Sequence, residues 1–268
     1  MLSEGRQRIL VVVEGEKAEP ALFRRCFDLL NQGVDYEIVP FCTNVYQLIR
    51  YIDEYFDGDL DAMDIRKVLL ERHPEDANKL AGKITDVILV FDYDPQDSLF
   101  DQGRLERLLP FFCDSSDVGH GKLFLNYPSV ESLRDFSGFG EMNFYESFVS
   151  GEVLPRHGYK RAIESREPRA HITDFRAITG PELADIIAMN VGKIQHLVFG
   201  SKIEDTVSWT RRPGLSEECC QLDLLELLRF QGKSYDEEGI VYICGTCLFF
   251  ACENWPAAVD GMWHSARS

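Results

Sequence analysis

Two five-residue apolar runs, each ending in acid, constrain this chain more than any other feature. Ile9-Leu10-Val11-Val12-Val13 leads into Glu14-Gly15-Glu16, and Val87-Ile88-Leu89-Val90-Phe91 leads into Asp92-Tyr93-Asp94. Runs this short, rich in β-branched residues and free of polar interruptions, read as strands buried on both faces, as in parallel sheets. In open α/β sheets, sites lie beyond the carboxyl ends of the strands. Glu14, Asp92 and Asp94 are therefore expected at one edge. Three converging carboxylates require a cation, and an oxygen donor set suits Mg²⁺ or Mn²⁺.

The periodicity around these runs predicts an alternating order of strands and helices. Strands are expected over Arg8–Val13, Tyr36–Phe41, Asp86–Phe91 and Lys122–Asn126. Helices are expected over Ala18–Leu30, with Pro20 tolerated in its first turn, over Val45–Phe56, capped by Asn44, and over Arg104–Phe112. Residues 57–85 read as a polar insertion with a short helix at Ile65–Arg72, and a helix after Pro128 would turn Val130, Leu133 and Phe136 inward. This order implies an α/β, Rossmann-like fold: a four-stranded parallel sheet flanked by helices, joined by right-handed crossovers. Beyond about residue 140 the pattern turns mainly helical, with candidates at Pro181–Phe199, Leu222–Phe230 and Cys247–Asn254. The expected organisation is a catalytic region over 1–140 and a mainly helical region over 141–268.

Three segments carry a family resemblance. Glu14-Gly15 after the first strand and Asp92-x-Asp94 after the third resemble the Toprim domain of topoisomerases, primases and overcoming-lysogenization-defect nucleases. Glu14-Gly15-Glu16-Lys17-Ala18-Glu19-Pro20, followed by Phe23, is similar to the opening motif of RloB-like proteins, with Ala18 where that family usually has Thr. Asn126-Tyr127-Pro128-Ser129-Val130-Glu131-Ser132-Leu133 resembles their Asn-Pro-x-x-Glu-x-Trp segment, with one inserted residue and Leu133 in place of Trp. The resemblance covers roughly residues 8–140. It implies a Toprim-like fold and a Mg²⁺-dependent nuclease acting as an effector of bacterial anti-phage defence or abortive infection.

The residues allow a division of roles. Glu14, Asp92, Asp94 and Glu131 are the candidate metal ligands. Glu14 is also a candidate general base, Glu131 would complete a second metal site, and Lys17 would steady charge on a phosphate. Gly15 would let the backbone approach a phosphate. Glu19 reads first as a helix-start acid facing the helix dipole. The six histidines show no metal spacing. The eight cysteines are expected to form neither zinc site nor disulfide, with Cys26, Cys42 and Cys113 read as core thiols. Phe139, Phe144, Tyr145 and Phe148 read as core.

Charge pulls against a nucleic-acid substrate. The chain carries 45 acidic and 28 basic residues, a net charge of −17, whereas nucleic-acid binders usually show a basic footprint. Lys160-Arg161, Arg166–Arg169 and Arg211-Arg212 are the best candidates for a substrate rim. The balance leaves two further readings open: a non-catalytic Toprim-like interaction subunit docking on a partner protein, and a phosphotransfer enzyme with a small substrate. No Gly-x-x-x-x-Gly-Lys-Ser/Thr motif is present, so an ATPase sensor would have to be a separate chain. Self-assembly into a homo-oligomer is the other expected route to efficient action. No apolar stretch approaches the roughly 18 residues of a membrane span, and the N-terminus runs directly into the first strand, so the expected location is the cytoplasm, with no membrane partner.

Overall fold

The structure is a computed structural model that describes residues 7–30, 33–135, 138–155, 158–165, 172, 174–202 and 214–265. The first apolar run forms β1 (Arg8–Val13) and the second forms β3 (Asp86–Asp92). Ile9 to Val13 and Val87 to Phe91 are all buried. Full burial of each such side chain is worth about 1.5–3 kcal/mol, which is why both strands lie at the centre of the sheet. Between them come α1 (Ala18–Leu30), β2 (Asp35–Pro40), α2 (Val45–Phe56), α3 (Ile65–Arg72) and the single turn α4 (Ala77–Leu80). Helix α1 buries Leu22, Phe23, Cys26, Phe27 and Leu30 at helical spacing. Helix α2 begins where the Asn44 side chain accepts from the Gln47 amide at 3.0 Å.

After β3 the chain forms α5 (Gln102–Leu108), β4 (Cys113–Asp114) and β5 (Gly121–Tyr127). The strand order is β2-β1-β3-β5-β4, with β2, β1, β3 and β5 parallel. The sheet is larger than the four strands expected from the sequence. The two-residue β4 returns antiparallel to β5, and β8 (Cys244–Gly245) also pairs antiparallel with β5, at Asn126 and Tyr127. Two-residue strands carry no period, so neither was visible as a pattern. The predicted helix after Pro128 is a 3-10 turn over Val130–Arg134. Val130 and Leu133 point inward as expected, and Phe136 lies outside the described residues.

The C-terminal segment contains β6 (Phe148–Ser150), α6 (Gly158–Glu164), α7 (Gly180–Phe199), α8 (Leu215–Cys220), α9 (Leu224–Glu238), β7 (Ile240–Tyr242), α10 (Phe250–Asn254) and α11 (Pro256–Ser265). It is mainly helical, as expected, but β6 and β7 form a separate antiparallel pair. Helix α7 starts at a reciprocal cap between Thr179 and Glu182 and ends at Gly200 in the left-handed conformation. Its middle, from Ile186 to Ile194, is buried throughout. One hydrophobic core runs from Ile9 to Trp263, so the two segments are packed as one body. Among the described residues, no helix is long and apolar enough to cross a membrane.

Two buried polar residues of α7 fasten elements of the C-terminal segment together, one of them at β8, the strand that pairs with β5. The Asn190 side-chain oxygen accepts from the Gly245 amide at 2.7 Å, while its amide donates to the Ile186 carbonyl at 2.8 Å. Lys193 donates to the Phe144 and Ser147 carbonyls and to Ser147 Oγ, at 2.6, 2.7 and 2.8 Å. Burial pushes its ammonium down to about 7. On the other side of β8, a Cβ on Gly245 would lie 2.2 Å from Leu133 Cδ2. Gly245 is therefore a close-packing position against the Val130–Arg134 turn.

Some expectations about the core are corrected. Cys26 is buried, but Cys42 and Cys113 are exposed, because each sits just past or on a sheet edge. Phe144 and Tyr145 are core, Phe139 is half-buried, and Phe148 is 54 % exposed on β6. Cys244 and Cys247 are buried around β8, and all eight cysteines are free thiols.

Gly245→Ala should destabilise the fold by about 1–3 kcal/mol through overpacking against Leu133. Chemical denaturation of the variant checks this; an unchanged midpoint would mean that β8 does not pack on the Val130–Arg134 turn as described.

Candidate metal centre

Parallel pairing brings the carboxyl ends of β1, β3 and β5 to one edge. Val13 pairs with Val90, and Asp92 pairs with Asn126. Glu14, one residue past β1, donates its amide to the Val90 carbonyl at 3.1 Å. Its side chain then reaches across, and Oε2 accepts from the Asp92 amide at 3.0 Å. Asp92 in turn accepts from the Val130 amide at 2.9 Å. Each end is thus tied to the next strand's loop by a carboxylate on a backbone amide.

The loop after β3 is held to the loop after β5. The Tyr93 amide donates to the Asn126 and Pro128 carbonyls, at 2.9 and 3.2 Å. The Tyr46 hydroxyl donates to the Tyr93 carbonyl. Asp94 has a φ of +33°, a conformation in which Asp is one of the more tolerated residues. It accepts from the Gln96 side-chain amide at 2.9 Å. The Tyr127–Pro128 peptide is cis.

These loops enclose a cleft of about 450 Å³. Glu14, Glu19, Asp92, Asp94 and Glu131 all line it, together with Lys17, Gln96, Tyr159 and Lys160. The expected ligands Glu14, Asp92, Asp94 and Glu131 therefore share one cleft. Glu131 is buried on the Val130–Arg134 turn, where Ser129 Oγ lies 3.3 Å and Lys160 Nζ 3.4 Å from its carboxylate. Lys17 is exposed at the cleft's margin.

Glu19 is a helix-start acid as expected, and it is more than that. It does stand in the first turn of α1, but its side chain is buried in the cleft. Its Oε1 accepts from the Gly15 amide at 3.0 Å. A Cβ on Gly15 would come within 2.9 Å of Glu19 Oε2, so this glycine admits the Glu19 carboxylate beside the backbone. The available signal was the third acid of Glu14-Gly15-Glu16-Lys17-Ala18-Glu19, five residues after Glu14 and on the helix face that turns toward the sheet. Of the basic rim candidates, Lys160 reaches the cleft and Arg161 is exposed. Arg166–Arg169 and Arg211-Arg212 lie outside the described residues, as do His157 and His171. Tyr159 and Gln96 carried no sequence signal.

The cleft crowds acidic side chains against one another, with Lys160 beside Glu131. Burial raises Glu14 from its ordinary 4.5 to about 8, and the charges of Asp94, Glu19 and Asp97 add to the rise, against the hydrogen bond from the Asp92 amide. Burial, then Glu14 and Asp94, push Asp92 well above the usual carboxylate range. Glu19 is also raised by burial, with Glu131 adding and backbone hydrogen bonds and Lys160 opposing. The chain holds these acids together at an electrostatic cost that protons or cations relieve.

Among the described residues, three metal-type ligand atoms lie within 4.8 Å of one another at His73, Glu75 and Asp76, not in the cleft. That group is a local turn with its own partners: Lys79 sits 2.6 Å from Asp76, and His73 Nε2 lies 3.1 Å from the Phe41 carbonyl. In the cleft, Glu14, Asp92 and Glu19 each rest on a backbone amide instead. Gln96 Oε1 is buried and has no hydrogen-bond partner among the described residues. An orphaned acceptor beside five carboxylates is a donor set that a hard cation matches.

Comparison of the chain with protein-family models, with curated proteins and with solved structures found no match.

The raised Glu14 gives a signed pH dependence. The folded chain holds this proton more tightly than the unfolded chain, so its stabilisation is complete below about 4.5 and is lost as pH rises through about 8. In chelator, the unfolding midpoint should therefore fall between about pH 5 and 8.5, and Glu14→Gln should flatten the slope. Millimolar Mg²⁺ or Mn²⁺ should restore the midpoint at the upper end, by binding the folded state alone. Thermal melts across that range check both; a wild-type midpoint that climbs with pH in chelator would contradict the protonated cleft.

Proposed function

We propose that this chain is a Mg²⁺- or Mn²⁺-dependent phosphodiester hydrolase. One observation carries the reading: carboxylates from the loops after β1, β3 and β5 meet in a single cleft at the carboxyl edge of a parallel sheet, where burial and mutual repulsion raise Glu14 and Asp92. Glu14, Asp92, Asp94 and Glu131 would hold the metal, with Glu19 and Gln96 Oε1 as further oxygen donors. A bound divalent ion supplies charge neutralisation on a phosphoryl oxygen and a water acidic enough to attack at neutral pH.

The chain's own residues supply positioning and proton handling. The Asp92 and Val130 amides fix the orientation of the Glu14 and Asp92 carboxylates. Glu14, oriented on the Asp92 amide, would either ligate the ion or, once a bound cation has displaced its proton, take the proton of an attacking water. Lys160, already against Glu131, is placed to meet a phosphate oxygen, and Lys17 stands at the open margin. Walls formed by Leu154, Val130 and Pro128 exclude bulk water from one side, which strengthens every charge interaction inside.

The resemblance to Toprim and RloB-like proteins extends this proposal to a nuclease effector in bacterial antiviral defence, working with a separate ATPase sensor or as a homo-oligomer. Its support is the motif order, Glu14-Gly15 after β1 and Asp92-x-Asp94 after β3, on the expected strands. The reading of a small-substrate phosphate enzyme draws on a separate observation, the net charge of −17.

Asp92→Asn keeps an oxygen to accept the Val130 amide but removes the charge that a metal needs. It should cut metal-dependent phosphodiesterase activity by about a hundredfold or more, the scale of losing one key electrostatic group. The folded state in chelator should be as stable as wild type or more so. Cleavage assays and melts of the same preparation check this; wild-type activity in Asp92→Asn would remove the proposed centre.

A further inference from the structure

The cleft's size and walls bear on which phosphodiester it takes. About 450 Å³ lies in the range of sites for single small molecules, about 300–1,000 Å³. Among the described residues, the amines that line it are Lys17 and Lys160. Leu154, Tyr159, Val130 and Pro128 are apolar or aromatic residues of its lining, the last two beside the acids and the first two brought in by the C-terminal segment. Leu154 and Tyr159 are almost fully buried, and Tyr159 is fixed by its hydroxyl 3.1 Å from Asp135 Oδ2. An anionic group would sit between metals and Lys160, and a flat apolar group would lie against the Leu154–Tyr159 side. That is the chemistry of one nucleotide, with its phosphate and its base.

A duplex makes different demands. Specific protein–DNA interfaces bury about 1,000–2,500 Å² of strongly basic protein surface. Most of their affinity comes from Lys and Arg set along regularly spaced phosphates. Here the exposed Glu16 stands at the mouth, and the chain as a whole carries 45 acids against 28 bases. Metals in the cleft would offset the floor acids but not the surrounding surface, which a duplex would have to lie across.

We infer that the site accepts the phosphodiester of a single unpaired nucleotide, either in a free dinucleotide-sized molecule or at the end of a single strand, and not one inside a duplex. The inference rests on the hydrolase reading above. It adds the substrate class, and it assigns Lys160 as the phosphate-binding amine of that site.

The experiment compares three substrates with the full-length chain in Mn²⁺ and in Mg²⁺: a dinucleotide, a linear single-stranded oligonucleotide labelled at one end, and a covalently closed duplex circle. The dinucleotide, the strand end or both should be cleaved at least about a hundredfold faster per phosphodiester than the circle. The ratio of the first two kcat/KM values identifies the source. Lys160→Ala should raise KM for the faster substrate about tenfold with a smaller change in kcat, the pattern of a lost binding contact. Cleavage of the closed circle within about tenfold of the best substrate overturns this inference and leaves the hydrolase reading standing. An unchanged KM in Lys160→Ala overturns the assignment of the phosphate to the Lys160 side. Cleavage of none of the three overturns the hydrolase reading and this inference with it.

Discussion

The parallel hydrogen-bonded register between β1 and β3 is the constraint on which the site depends. With Val13 opposite Val90, Glu14 emerges beside the last residues of β3 and can accept the Asp92 amide. A shift of one residue would exchange the faces of the shifted strand and move Glu14 off the Asp92 amide. The same packing that stabilises the centre of the sheet therefore brings the acids after β1 and β3 to one edge.

The C-terminal segment serves the same edge from the other side. Asn190 holds β8 against β5, Gly245 seats against Leu133, and Leu133 lies on the turn that carries Glu131. Lys193 anchors the Phe144–Ser147 turn ahead of the segment that supplies Leu154, Tyr159 and Lys160 to the cleft wall. Buried polar groups are costly unless every bond is made. Asn190 and Lys193 make theirs within the C-terminal segment, one at β8, which pairs with β5, and one at the Phe144–Ser147 turn.

Holding five acids together costs stability, and the fold recovers it elsewhere in one continuous hydrophobic core. Backbone amides at Gly15, Asp92 and Val130 reduce the penalty without neutralising the charge. Strain and repulsion of this sort collect at functional sites. The chain as a whole is acidic as well, with a net charge of −17.

The sequence by itself determined the parts that depend on neighbours along the chain. Period and capping marked β1, α1, α2 and α3 almost to the residue, and the acids after β1 and β3 followed from where those strands stop. These features are local, because burial on both faces and helix caps are written within a few positions. Only the tertiary structure decided what distant segments meet. Glu19 looked like a helix-start acid until the α1 face was packed toward Asp92 and Glu131. Lys160 was legible as a candidate rim residue, but its place against Glu131 came only from the position of α6. The two-residue β4 and β8, the exposure of Cys42 and Phe148, and the Gly245–Leu133 contact had no local pattern to announce them. Pairing across more than a hundred residues, as between Asn126 and Gly245, is set by the shape and hydrogen-bonding needs of the whole core, which no window of sequence contains.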